Sequence, residues 1–320
     1  MKRAIVTGAT GFVGASLTRR LLQLGHEVHL LLRPEYAAWR IEGIRTNVHL
    51  HIVDFSDAPT LQTIIRHIQP DWIFHLAAYG AYSNQANWRQ MIETNLTGTA
   101  NLLEACLATG FEAFINTGSS SEYGFKDYPP SENDWLDPNS HYALTKAAAT
   151  HFCRFTAQKQ QVHVPTLRLY SVYGPYEEPT RLIPILAIKG LQGQLPPLVN
   201  PTIARDYVYV EDVNDAYLLA ATQPNQELGA VYNVGTGVQT SLDEIVAIAR
   251  QVLAIEAEPQ WGSMPDRAWD TSVWVANNAK IQTDLGWQPR YSVPDGFQEF
   301  VNWLAAHPAM QQYYESRLGV

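Results

Sequence analysis

The sequence predicts an α/β protein, a doubly wound parallel sheet with a smaller C-terminal domain. Three observations lead there. Short apolar runs alternate with longer amphipathic ones through the first half of the chain, the rhythm of strands and the helices that cover them. A turn with three glycines joins the first apolar run to the first amphipathic one. After Tyr170 the rhythm breaks, because Pro175, Pro179, Pro184, Pro196, Pro197 and Pro201 cannot sit inside a continued series of strands and helices.

Taken in order, buried strands are expected over 3–7, 27–32, 48–53, 71–76, 112–117 and 163–168. Between them, helices are expected over 12–24, 58–68, 89–109 and 142–160, where apolar residues recur at helical spacing, as in Leu17, Leu21, Leu22 and Leu24 or Leu102, Leu103 and Ala105. Strands over 206–210 and 230–234, with a helix near 212–221, suggest a return to the sheet before helices around 241–253 and 294–305. The expected division is therefore a dinucleotide-binding domain over 1–168 with a return near 205–234, and a substrate domain over 169–204 and 235–320.

Composition narrows the function. The chain of 320 residues has 22 Lys+Arg against 31 Asp+Glu, a net charge of −9, and is 46% hydrophobic, which supports a large core and excludes extensive disorder. An acidic chain with no basic run offers no footprint for nucleic acid. No apolar run approaches a membrane span, and Cys106 and Cys153 have no CxxC or Cys/His neighbourhood, so a cytoplasmic protein without a metal site is expected.

The glycine turn carries the first chemistry. In Ile5-Val6-Thr7-Gly8-Ala9-Thr10-Gly11-Phe12-Val13-Gly14, Gly8, Gly11 and Gly14 let the backbone approach a pyrophosphate at the N-terminus of the following helix. The sheet is thus Rossmann-type, and the expected cofactor is NAD or NADP. An acid at the end of the second strand would hold the ribose of NAD. This chain has Arg33 there, which suits a 2′-phosphate and favours NADP, with Glu35 as the alternative acid. Asp54 follows the third strand and suits either a helix cap or a contact to the adenine. The second constellation is Tyr142-Ala-Leu-Thr-Lys146, a Tyr and a Lys on one helix face, where an ammonium would bring a phenol nearer the pH at which it exchanges protons.

TGATGFVG, HLAA (75–78), ETNLTGTANLLEA (93–105), SSSEYG (119–124), YALTK (142–146), YGP (173–175), RDYVYVEDV (205–213) and LGWQP (285–289), in that order, resemble the extended short-chain dehydrogenase/reductases, the family of nucleotide-sugar epimerases, dehydratases and reductases. The resemblance implies that Ser119 polarises the substrate oxygen, Tyr142 is the acid/base and Lys146 holds the nicotinamide ribose. It places Thr10, Phe12, Ala77 and Asn95 at the cofactor with the glycines. It places Tyr79, Ser120, Ser171, Arg205 and Arg267 at a nucleotide sugar, the two arginines clamping its diphosphate. A homodimer is implied as well, paired through the helices over 89–109 and 142–160, the second of which carries Ala143, Ala147, Phe152 and Phe155.

Departures from the family pattern point to one reaction type. Where 4,6-dehydratases carry acids just after the Ser/Thr, this chain has Ser120 and Ser121, and the acid comes one place later as Glu122. Hydride transfer at hexose C4 is then the expectation, as a 4-epimerase or a 4-keto reductase. A dehydratase that uses Glu122 is one alternative. A general NADP-dependent aldehyde or ketone reductase is another, opposed by the arginine clamps, and a non-catalytic dinucleotide sensor is opposed by the presence of both Tyr142 and Lys146.

Overall fold

β1 (Arg3–Thr7) runs through the core with Ala4 and Val6 facing one hydrophobic cluster and Ile5 facing another, so the strand is covered on both sides. The same holds along the parallel sheet around it. The computed structural model describes residues 1–82, 84–223, 227–263 and 271–319. Its first half alternates β1, α1 (Phe12–Gln23), β2 (Glu27–Leu32), β3 (His49–Ile52), α2 (Ala58–Ile68) and β4 (Trp72–His75). There follow α3 (Trp88–Met91), α4 (Gly98–Thr109), β5 (Ala113–Ser119), α5 (His141–Gln160) and β6 (Thr166–Leu169).

The later part adds β7 (Ser171–Tyr173), α6 (Leu182–Leu191), β8 (Ala204–Arg205), β9 (Tyr207–Tyr209), α7 (Val210–Thr222), β10 (Val231–Val234) and β11 (Thr240–Ser241). It ends in α8 (Leu242–Leu253), α9 (Ala279–Leu285), α10 (Val293–Ala306) and α11 (Pro308–Leu318). Among the described residues the main sheet has the order β10-β6-β5-β4-β1-β2-β3, all neighbours parallel. The order reverses between β1 and β4, and a crevice opens there at the carboxyl ends of the strands.

Two expectations are corrected. The stretch 206–210 does not re-enter the sheet: β9 pairs with β7 in a separate two-stranded ribbon, and β10 alone returns, beside β6. The expected helix over 89–109 is interrupted by a π-helical turn, Ile92–Thr97, between α3 and α4. That wider turn carries the buried Asn95, and such turns recur at functional sites.

A second core, built by Tyr173, Ile183, Leu186, Tyr209, Ile245, Phe297, Phe300 and Tyr314, holds the C-terminal region together. Arg40 ties it to the parallel-sheet region. Its guanidinium donates to the Thr10 carbonyl in the glycine turn (3.2 Å) and to the Tyr176 carbonyl (2.8 Å), and it pairs with Glu178 (3.1 Å). Nearby, the Arg19 guanidinium lies 3.8 Å from the Tyr176 ring centre, and Trp39 packs against Tyr313 of α11 at 4.6 Å. No described helix is long and apolar enough to cross a membrane.

Candidate active site

The glycine turn is shaped by close approach. Gly8 has φ +68°, and a Cβ there would lie 2.6 Å from the Leu76 carbonyl carbon. A Cβ on Gly14 would lie 2.4 Å from the Gly8 carbonyl oxygen, so the turn closes onto α1 only because both positions lack one. α1 begins after Gly11 with no side-chain cap and no acid in its first turn, which leaves N–H groups at Phe12 and beyond open to an anion. These residues fit a dinucleotide pyrophosphate. Arg33 and Glu35 stand exposed past the end of β2. The cap of α2 is Asp57, which accepts from the Thr60 amide at 3.1 Å. Asp54 instead closes a local turn by accepting from the amide and hydroxyl of Ser56, so the capping role suggested for it belongs three residues later.

A polar chain crosses beneath the crevice. Thr7 Oγ1 accepts from the amides of Leu76 and Ala77 and lies 2.8 Å from His75 Nδ1, while His75 Nε2 lies 2.9 Å from Thr99 Oγ1. Burial, assisted by the Lys146 charge, drives His75 down to about 3, so the ring is neutral and serves as a strut. Asn95 grips Tyr79 from both sides, its Oδ1 accepting from the Tyr79 amide and its Nδ2 donating to the Tyr79 carbonyl, each at 2.8 Å. The same Nδ2 donates to Thr145 on α5 at 2.9 Å. Both amide hydrogens of Asn95 are therefore used in holding the Tyr79 loop against α5.

β5 delivers Ser119 and α5 delivers Tyr142 and Lys146. Ser119 Oγ accepts from the Ser121 amide (3.2 Å), lies 2.7 Å from Ser121 Oγ, and hydrogen-bonds the Tyr142 phenol. Burial pushes the phenol up to about 12, against the Ser119 hydrogen bond that lowers it, and Arg181 adds a cation that favours ionisation. Lys146 is buried, which lowers its pKa, while the Glu122 carboxylate and Cys153 hold it up. The Lys146 ammonium is not among the groups that act most strongly on the phenol.

Glu122 is the residue whose direction matters most. It is fully buried. Its Oε1 accepts from the Ser119 amide (2.8 Å) and Thr150 Oγ1 (3.1 Å), and its Oε2 accepts from Arg168 Nε (2.8 Å). Ser119 and Glu122 thus form a capping box on the single helical turn Ser120–Tyr123, with the carboxylate pulled back under the strand end. Arg168 is 2% exposed and also donates to the Tyr123 hydroxyl at 2.8 Å. The acid points into the core, while Ser121 stays beside Ser119 and Ser120 is buried next to them.

On the substrate side, Ser120 Oγ accepts from the Trp274 indole at 3.1 Å, which brings the C-terminal region onto the end of β5. Arg205 donates to the Ala204 carbonyl at 2.7 Å and lies 5.5 Å from the Trp274 ring centre. Ser171 opens β7, its amide donating to the Asp206 carbonyl. Asp206 is buried and accepts from the amides of Thr236, Gly237 and Ala276 and the Thr236 hydroxyl, which fixes the strand that presents Arg205. Arg267 lies outside the described residues. Trp274, Arg181 and Arg40 were not singled out by the sequence pattern. Arg181 carried a usable signal, a cation six residues after the YGP run.

Replacing Arg168 by Met is expected to destabilise the fold by about 3–5 kcal/mol, because it strands a buried carboxylate. Replacing Glu122 by Gln together with Arg168→Met should recover a large part of that loss. Urea unfolding of the two variants checks both statements, and equal midpoints would mean that the pair carries no coupling.

The comparisons agree with this geometry. The profile of the NAD dependent epimerase/dehydratase family matches residues 4–235. UDP-glucose 4-epimerase of Mycolicibacterium smegmatis is 30% identical over 313 residues, covering 94% of this chain and 98% of that one. dTDP-glucose 4,6-dehydratase of Neisseria gonorrhoeae is 26% identical, covering 97% and 98%. The crystal structure of UDP-glucuronic acid 4-epimerase from Bacillus cereus, in complex with UDP-glucuronic acid and NAD, aligns with a TM-score of 0.81 at 25% identity, over 95% of this chain and 99% of that one. A glycine cradle at the sheet's reversal point, Ser119 against Tyr142, and matches along nearly the whole chain lead to one assignment: the protein is an enzyme of the NAD-dependent epimerase/dehydratase family, within the extended short-chain dehydrogenase/reductases.

Proposed function

We propose that the enzyme is a nucleotide-sugar 4-epimerase or 4-keto reductase and carries out no dehydration. The observation behind this reading is the inward turn of Glu122 into its pair with Arg168. Elimination of water needs an acid and a base beside the reacting sugar, and the two positions that follow Ser119 carry only hydroxyls, Ser120 and Ser121. Incubation with UDP- or dTDP-glucose and cofactor, followed by mass spectrometry, tests it: a product lighter by one water would reject the reading in favour of a dehydratase.

NAD or NADP, held by Gly8, Gly11, Gly14 and the first turn of α1 with Thr10 and Ala77 near it, supplies the hydride acceptor and donor. The chain's own residues handle the oxygen. Ser119, whose Oγ accepts from the Ser121 amide, has its hydroxyl beside the Tyr142 phenol, and on binding a sugar it would turn its proton to the C4 oxygen, where charge develops. Tyr142 holds its proton in a cleft that pushes it to about 12, the state that delivers a proton to a C4 alkoxide. Taking a proton from a C4 hydroxyl requires more positive charge at the phenol, and Arg181 is the cation that already acts on it. Asn95 acts by holding the Tyr79 loop and α5 in register.

Tyr142→Phe is expected to slow turnover by about 10²–10⁴-fold while leaving cofactor affinity nearly unchanged, since the ring still packs. Steady-state kinetics and cofactor titration check the two halves.

The exposed guanidinium of Arg33, where an acid would serve NAD, supports NADP as the preferred cofactor. Arg33→Ala should then weaken NADP(H) by about 1.5–3 kcal/mol and leave NAD(H) little changed. Fluorescence titration with each cofactor decides, and equal losses would make Arg33 structural.

Arg205, with Arg267 from the sequence pattern, supports a diphosphate-bearing substrate. Arg205→Ala should cost on the order of 2–5 kcal/mol in kcat/KM for a nucleotide sugar, by leaving phosphate charge unpaired in the cleft, and almost nothing for a free keto sugar. Comparable wild-type kcat/KM on the two substrates would favour the general reductase.

A homodimer completes the proposal, through the same two helices but with fewer of the residues first expected. Ala143 and Ala147 are buried against the enzyme's own core and Phe152 packs there too, so they are not free to meet a partner. The outward apolar residues are Leu144 (54% exposed) and Phe155 (62%) on α5, with Trp88 and Ile92 on the neighbouring helical segment. Phe155→Glu should shift the sedimentation coefficient from dimer to monomer at micromolar concentration. Two free, buried thiols, Cys106 and Cys153, suit the reducing setting of the cytoplasm.

A further inference from the structure

At the β3 edge of the sheet, toward the amino ends of its strands, three histidines and a glutamate meet on one face. Glu27 and His29 are alternate residues of β2, so they project to the same side, and His29 is in register with His49 of the edge strand β3. His51, two residues along β3, shares that side, and His67 of α2 lies near enough to act on the His51 charge. Glu27 Oε1 is 3.1 Å from His29 Nε2 and 3.7 Å from His49 Nε2, and one ligand atom from each of the three residues lies within 4.8 Å of the others.

A tetrahedral zinc site with bonds of about 2.0–2.1 Å has donor atoms about 3.4 Å apart along each edge. The two measured distances bracket that edge. We propose that Glu27 Oε1, His29 Nε2 and His49 Nε2 form a binding site for a divalent transition metal of the zinc class, with the fourth position open to solvent beside the exposed His49. Two carboxylate–imidazole contacts at these separations suit zinc, nickel or copper and are poor for magnesium or calcium, which take oxygen ligands.

The surroundings fit a ligand role for His29. Its Nδ1 lies 3.0 Å from His51 Nε2. With Nε2 on a metal, the neutral ring carries its proton on Nδ1, and that N–H donates to His51, the outer partner that orients a ligating histidine. The site would join β2 to β3, the edge strand held on one side only. It belongs to none of the catalytic machinery, since the cofactor cradle lies at the carboxyl ends of the same strands.

The test is calorimetric titration of the chelator-stripped enzyme with zinc chloride, run beside magnesium chloride. One zinc per chain is expected, with no magnesium binding, and a Tm that rises with zinc concentration. His49→Ala and Glu27→Gln, both at accessible positions, should each weaken zinc by about 100-fold or more, and His51→Ala by about 10–100-fold. Circular dichroism confirms that the variants fold, and turnover should match the wild type. Absence of saturable binding at micromolar zinc overturns the proposal. So does binding that His49→Ala and Glu27→Gln leave unchanged, because the metal then sits elsewhere.

Discussion

The ion pair between Glu122 and Arg168 is the constraint on which the site depends. One carboxylate, fully buried, receives the Ser119 amide from β5, the Thr150 hydroxyl from α5 and the Arg168 guanidinium from β6. Three elements that meet at the crevice are therefore tied to one group. Thr150 lies one helical turn beyond Lys146, and Ser119 is the residue that faces Tyr142, so the pair fixes the spacing between the strand's hydroxyl and the helix's phenol. Such pairs add little net stability, because desolvation offsets most of the attraction, but every misplacement leaves a charge unpaired. Steric demand reinforces it: a Cβ on Gly118 would lie 2.8 Å from Glu122 Oε1.

A second set of ties reaches the site from the other side. The π-helical turn between α3 and α4 shifts Asn95 to where it can hold the Tyr79 backbone and Thr145 at once. Thr99, just past that turn, donates its hydroxyl to the Asn95 carbonyl and meets His75. The chain Thr7–His75–Thr99–Asn95–Thr145 thus runs from the glycine turn to α5 without a charged group, since His75 is held neutral. Rigidity across the crevice comes from these short polar links, while Arg40 joins the crevice to the C-terminal region.

Much of this was legible in the sequence. β1, β2 and α1 follow from runs whose period and flanking glycines leave little choice, and the Tyr142–Lys146 spacing on a helix put two groups on one face. What was not legible depended on contacts between distant segments. No local pattern distinguishes 207–209 as a partner of β7 rather than of the main sheet, because a three-residue strand carries almost no periodicity. Ala143 and Ala147 read as surplus apolar surface, yet the helix buries its small side there and turns Leu144 and Phe155 outward. Arg40 reads as a solvated arginine, and only the fold brings Thr10 and Glu178 to it from residues far away in the chain. The histidines of β2 and β3 likewise lie 20 residues apart and meet through the register His29 to His49.

The direction of Glu122 shows how one scaffold can divide between reactions by register alone. Ser119 ends β5 and caps a single turn, so the side chains at 120, 121, 122 and 123 leave the backbone in successive directions around that turn. The third of them points back at the cap, where a carboxylate satisfies the Ser119 amide and finds Arg168. An acid one or two places earlier would instead project on the side where Ser120 meets Trp274 and Ser121 meets Ser119, toward the crevice. On the proposed reading, the same carboxyl is a catalytic group or a structural one according to a single residue's displacement, and the Arg168 guanidinium holds Glu122 in the structural position. On the reaction proposed above, proton exchange at the substrate oxygen would fall to hydroxyls and a phenol, groups suited to the C4 oxygen but too weakly acidic or basic to expel water from the neighbouring carbons.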